Sequence, residues 1–198
     1  MSEHYYSQKP AARHNRQTIR VALRGRTLSF TTDAGVFSKN AIDYGSRLLI
    51  EHMDIPENGR VADVGCGYGP IGIMAAILAK HGHVTMMDIN ERAVQLAREN
   101  ARLNGLLNVT VVQSDALAAV RGETFDRVLT NPPIRAGKDV VHRIFEEAHE
   151  VLSEGGQLWI VIQKKQGAPS ALAKLESIFA DVREADKDKG YRIFVAQK

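Results

Sequence analysis

Cysteine occurs once in the 198 residues, at Cys66, so no internal disulfide can form and a disulfide-stapled scaffold is excluded. Long apolar runs are missing too. The longest, Ile71 to Ala79, falls far short of the ~20 residues that cross a bilayer. Met1 to Tyr6 offers no apolar signal core. Repeats, low-complexity tracts and an interdomain linker are likewise lacking. With 44% hydrophobic residues, disorder is excluded and a substantial core is available. One domain over 1–198, cytoplasmic and off the membrane, is therefore expected. A further absence is local: no acidic residue lies between Glu3 and Asp33. Lys9, Arg13, Arg16, Arg20, Arg24 and Arg26 fall there, with His14, Tyr5 and Tyr6. A basic stretch with aromatics suits a polyanion, RNA or DNA, or else forms a solvated terminus.

What is present falls into two textures. In 1–58, Thr18–Arg24 and Thr27–Thr32 alternate apolar and polar residues about Gly25, which predicts a hairpin with Val21, Leu23, Leu28 and Phe30 facing inward. A helix is predicted from Ala41 to Met53. In 59–198, short apolar strands alternate with amphipathic helices: strands at Arg60–Val64, Val84–Met87, Val109–Val112, Phe125–Thr130 and Leu158–Ile162, and helices at Ile71–Lys80, Glu91–Leu103, Val141–Leu152 and Ala171–Phe179. Val182–Asp186 and Tyr191–Ala196 read as two strands about Gly190. This βαβα order predicts an α/β fold with a mostly parallel sheet covered by helices on both faces.

Asp63-Val-Gly65-Cys66-Gly67-Tyr-Gly69 follows the first strand of that region and opens a helix. Glycines there let the backbone turn sharply and approach a ligand at a helix N-terminus. Asp88 ends the next strand, about 20 residues on, where a carboxylate accepts ribose hydroxyls. Ser114-Asp115-Ala116 ends the third strand on the same sheet edge, within reach of an adenine amine. These features predict an adenosine-containing cofactor. Asn131-Pro132-Pro133-Ile134 follows the fourth strand. Two prolines remove two donors, so this turn presents acceptors, which suit an exocyclic amine. His81 and His83 lack a carboxylate or cysteine at ligand spacing, so no metal is expected. Cys66 has no base beside it, and nucleophilic catalysis is not expected of it.

Together the glycine loop, Asp88, Asp115 and the Asn131–Ile134 turn resemble the class I S-adenosylmethionine-dependent methyltransferases. More narrowly, Gly35-Val-Phe37-Ser38, Asp43-Tyr-Gly-Ser46 and Ile134-Arg135-Ala-Gly-Lys138 resemble the RsmC-like 16S ribosomal RNA guanine-N2 methyltransferases. Many members carry an aromatic residue where Ile134 stands, and longer members carry a further N-terminal domain. The resemblance implies a Rossmann-like fold with a seven-stranded sheet and S-adenosyl-L-methionine as cofactor. It places that cofactor on Asp63, Gly65, Cys66, Gly67, Gly69, Asp88, Ile89, Asp115, Ala116 and Asn131, with Asp63 near the methionine end. Asn131 and the Pro132 carbonyl, stiffened by Pro133 and Ile134, would accept the two N–H bonds of the target amine. Phe37 and Ile134 would pack the extruded base, and Arg135 and Lys138 would meet phosphates. The implied partner is RNA, ribosomal RNA or the small ribosomal subunit. Glutamine-N5 or adenine-N6 methylation, and a non-catalytic RNA-binding assembly factor, stay open as alternatives.

Overall fold

A computed structural model of the chain describes residues 6–198; Tyr5, counted above among the aromatics of the basic segment, lies outside the described residues. The hairpin pairs β1 (Gln17–Leu23) with β2 (Arg26–Thr32) antiparallel across Arg24-Gly25. Leu23, Leu28 and Phe30 are buried, while Val21 is only half-buried. Helix α1 spans Tyr44–His52, shorter at its start than the periodicity suggested. Asp43 stops it there, because its carboxylate accepts the Ser46 N–H as an N-cap.

The rest alternates as expected: β3 (Arg60–Val64), α2 (Pro70–Leu78), β4 (His83–Asp88), α3 (Glu91–Leu103), β5 (Val109–Gln113) and β6 (Phe125–Thr130). Then come α4 (Lys138–Val151), β7 (Leu152–Gln163), α5 (Ala168–Ile178), β8 (Asp181–Asp188) and β9 (Tyr191–Gln197). The seven strands lie in the order β5-β4-β3-β6-β7-β9-β8. The first five pair in parallel, and β9 runs antiparallel to both β7 and β8. Gly155-Gly156 does not end α4, as the sequence suggested. The helix passes directly into β7 at Leu152, and the glycines sit where the β6–β7 register slips.

Period-two alternation along the strands builds two cores. Trp159 and Val161 face α1, α2, α3 and the hairpin. Leu158, Ile160 and Ile162 face α4 and α5 on the other side. Among the described residues, no helix is long and apolar enough to cross a membrane.

Asn100, fully buried on α3, ties the hairpin to the sheet. It accepts the Thr31 N–H at 2.7 Å and donates to the Thr31 and Tyr68 carbonyls at 2.9 and 2.8 Å. An unsatisfied buried polar group costs about 1–3 kcal/mol. Asn100→Ala is therefore expected to lower stability by about 3 kcal/mol, read from the midpoint shift in urea unfolding.

Candidate active site

The carboxyl ends of β3, β4, β5 and β6 meet along one edge of the sheet, and a cleft opens there, the place where ligands bind in open α/β sheets. The glycine loop forms its floor. Gly65 and Gly67 hold φ of +71° and +55°, a backbone state that side-chain-bearing residues rarely adopt. Gly65 and Cys66 donate their N–H groups to the Met87 carbonyl at 2.8 and 2.9 Å, which locks the loop onto β4. Cys66 lines the cleft, and burial pushes its thiol pKa up, so it is a wall group without nucleophilic character. Gly69 does not line the cleft. It caps α2 with φ +105° and packs against Ile73 and Ala97.

Asp88 faces the cleft with both oxygens anchored. Oδ2 accepts the Gly67 N–H at 2.8 Å, and Oδ1 accepts the Asn90 N–H at 2.9 Å. Burial raises its pKa to about 6, partly offset by these backbone bonds, so it is ionised at neutral pH. Each carboxylate oxygen keeps a further lone-pair site, enough to accept two adjacent hydroxyls. Ile89, Ala116 and Ile144 add apolar wall at this end. An ionised acceptor beside an apolar slot, at the tip of a glycine loop, fits the adenosine of S-adenosylmethionine.

Two acidic residues expected to serve the cofactor, Asp63 and Asp115, do not line the cleft. Asp63 is fully buried behind the loop and does not itself line the cleft; its Oδ2 accepts the Gly72 N–H at 2.8 Å and its Oδ1 is buried with no partner. Burial forces its pKa up to about 7, with smaller help from Asp88 and against the Gly72 bond. The native state thus binds more protons than the unfolded chain between about pH 4 and pH 7. Asp63's contribution to stability is full below that window and is lost as pH rises through it. Asp63→Asn keeps an acceptor for Gly72 and is expected to flatten this part of the stability–pH profile, measured by urea unfolding across the window.

Asp115 stands at the rim, half-exposed. Arg143 holds its carboxylate at 2.7 Å, and the Tyr6 hydroxyl donates to it at 3.4 Å. Its neighbours Ser114 and Ala116 line the cleft in its place.

Asn131, Pro132 and Pro133 line the opposite end. The Asn131 amide donates to Asp43 Oδ2 at 2.8 Å and to Ser46 Oγ at 3.0 Å. Asp43 Oδ2 also accepts the Ser46 N–H, so the amide nitrogen faces this acceptor and the amide oxygen is turned the other way. Among the described residues no donor reaches that oxygen. The Pro132 carbonyl is less free than the sequence suggested. It accepts the Ile134 N–H at 2.9 Å in a tight turn over Pro133, leaving one lone-pair site of two. The Pro133 carbonyl accepts the Ala136 N–H, also at 2.9 Å.

A second cleft of about 650 Å³ shares Phe37, Asp43, Asn131 and Pro132 with the first. Ile134 and Arg135 line it, as do Gln163, Gln166 and Tyr191, none of which the sequence had singled out for this role. Ile134 also packs against the core beneath. Lys138 begins α4, exposed and outside both clefts.

The basic segment folds back onto the body. Arg92 donates to the Ala34 and Ala12 carbonyls, and Asp33 binds His14 at 2.5 Å and the Asn15 N–H at 2.6 Å. Arg16 pairs with Glu99, and Arg24 donates to the Ile50 and Met53 carbonyls. Tyr6 enters the cofactor cleft. Two of the six cations thus serve internal contacts, and the stretch lies partly over the cleft, beside Asp115.

Fold and cleft together define a class I methyltransferase. The chain belongs to the methyltransferase small domain family, which matches residues 27–195. It is 55% identical to the uncharacterized protein YbxB of Bacillus subtilis, over the full length of both. It is 35% identical to the ribosomal RNA large subunit methyltransferase G of Pseudomonas putida, over 98% of this chain and 52% of that protein, so it spans about half the length of that relative. The T. thermophilus 16S rRNA N2 methyltransferase RsmC, solved with AdoMet and guanosine, superposes with a TM-score of 0.82 at 24% identity, over 92% of this chain and 50% of that one.

Proposed function

We propose that the chain methylates an exocyclic amine of ribosomal RNA, the N2 of a guanine, using S-adenosylmethionine. One observation carries the reading: an asparagine amide fixed by Asp43 and Ser46, with its oxygen left as a bare acceptor beside the cofactor cleft. Relatives named as ribosomal RNA methyltransferases support the substrate class.

The cofactor supplies an electrophilic methyl group on a sulfonium centre. Asp88 and the backbone of Gly65–Gly67 hold its adenosine, with Ile89 and Ala116 against the base. A ring-attached amine is a weak nucleophile because its lone pair is delocalised. Asn131 Oδ1 and the remaining lone pair of the Pro132 carbonyl accept its two N–H bonds. That favours a pyramidal nitrogen whose lone pair faces the donor side. Asn131 is no base, so the surplus proton passes to water. Phe37, Ile134 and Tyr191 bound the second cleft, which receives the unstacked base.

Mapping methylated nucleotides in ribosomal RNA from cells with and without this gene tests the reading. A guanine that loses its N2 methyl in the deletion is the expected result, and it also reports the subunit: the small one from the sequence resemblance, or the large one from the Pseudomonas relatives. Ribosomal RNA with an identical methylation pattern in both strains overturns it.

A further inference from the structure

Beyond the second cleft lies a hollow that neither the sequence motifs nor the cofactor site uses. Lys164, Lys187, Lys189 and Arg192 line it, with Tyr191 as the wall it shares with the base cleft. The short turn after β7 and the β8–β9 turn are tied together there, since the Lys164 N–H donates to the Gly190 carbonyl at 2.8 Å. Two acids also line the hollow, and both are engaged: Glu184 pairs with Arg192, and Asp188 accepts the Tyr44 hydroxyl. Lys189 lies over the Tyr44 ring, 4.8 Å from its centroid. Among the described residues, Lys164 and Lys187 have no ion pair. Four cations against two carboxylates leave the hollow with two positive charges in excess.

β8 is the outermost strand, and lysines on an edge strand also discourage edge-to-edge pairing. That account covers Lys187 alone. Lys164 comes from the β7–α5 connection, and Lys189 from the turn. Lysine is a compact point charge that meets phosphate without reading a base. The three hollows adjoin in series: Asn131 lines both the cofactor cleft and the base cleft, and Tyr191 lines both the base cleft and this cationic hollow. That order, donor then base then cations, matches a nucleotide whose base is withdrawn and whose backbone stays outside.

We propose that this hollow holds the RNA phosphates flanking the target nucleotide, and that it carries more of the backbone contact than the N-terminal basic segment does. The inference rests on the reading of the chain as an RNA methyltransferase. Each phosphate contact with a single strand contributes about 0.7 to the slope of log affinity against log salt. Fluorescence anisotropy with a short labelled single-stranded RNA tests this, comparing wild type, Lys164→Gln/Lys187→Gln/Lys189→Gln, and Arg13→Gln/Arg20→Gln/Arg26→Gln. The lysine variant is expected to lose about 2 from the slope and to bind roughly a hundredfold more weakly at ~0.1 M salt, with the arginine variant changing less. Calorimetry with S-adenosylmethionine, unchanged in both, verifies that the fold is intact. RNA binding that the lysine changes leave unaltered, or that only the arginine changes weaken, overturns the inference and leaves the function standing. Wild-type protein that binds the cofactor but no RNA overturns the proposed function, and this inference with it.

Discussion

Replacing Asn131 with alanine is expected to slow single-turnover methyl transfer by about 10²–10³-fold, far more than it weakens cofactor affinity. The acceptor it removes works on the amine as charge develops, so the loss falls on the chemical step. Asp43 acts through this residue as a positioning group. Without its carboxylate the Asn131 amide is held only by Ser46, which as a hydroxyl serves either amide face equally. Asp43→Ala is expected to slow transfer by about tenfold or more, and also to cost about 1 kcal/mol of stability as a lost N-cap. Asp43→Asn can set an oxygen at the same point and is expected to recover most of the rate. A purely structural role for Asp43 predicts otherwise: rate would follow thermal stability in both variants, and kcat would not separate from KM.

Asp88→Ala is expected to weaken S-adenosylmethionine binding by about 10² to 10⁴-fold, since two hydrogen bonds to a charged group contribute roughly 1.5–3 kcal/mol each. Its pH dependence is a sharper check. The burial-raised pKa of about 6 means that the ionised acceptor is present above this value and protonated below it. Affinity measured by calorimetry should therefore climb as pH rises through about 6 and then level off. Asp88→Asn should bind weakly with no such step. A wild-type profile that is flat across this range would place the ribose on other groups.

Much of this architecture can be read from residues in series. Helix Glu91–Leu103 and strand Phe125–Thr130 agree with the sequence to the residue. In the helix, Asn90 caps the start, Asn104-Gly105 closes the end, and the apolar stripe between has a single period. The strand runs from Phe125 through the apolar pair Val128-Leu129 and ends at the Asn-Pro-Pro turn. The glycine loop and Asp88 are legible for a similar reason, because each sits at a strand end that local pattern already fixes. Contacts between distant positions are not legible in this way. Asp43 and Asn131 lie 88 positions apart, and nothing in either neighbourhood names the other. The same holds for Arg16 and Glu99, so a run of unopposed positive charge looked wholly available to a polyanion when part of it is paired across the fold. Asp63 shows the same limit: its place in the motif suggests a ligand, and nothing in the local pattern tells that its carboxylate also braces the start of α2 through Gly72.

The buried amide of Asn100 gives the hairpin a share in events at the cleft. One side chain joins β2 to Tyr68, and Tyr68 is part of the glycine loop. Loosening at either end strains the bonds that this side chain makes at the other, so the two are expected to open together. A donor molecule that stills the loop would slow amide exchange out at Thr31 as well, so a two-stranded ribbon at the periphery serves as a gauge of occupancy at the centre.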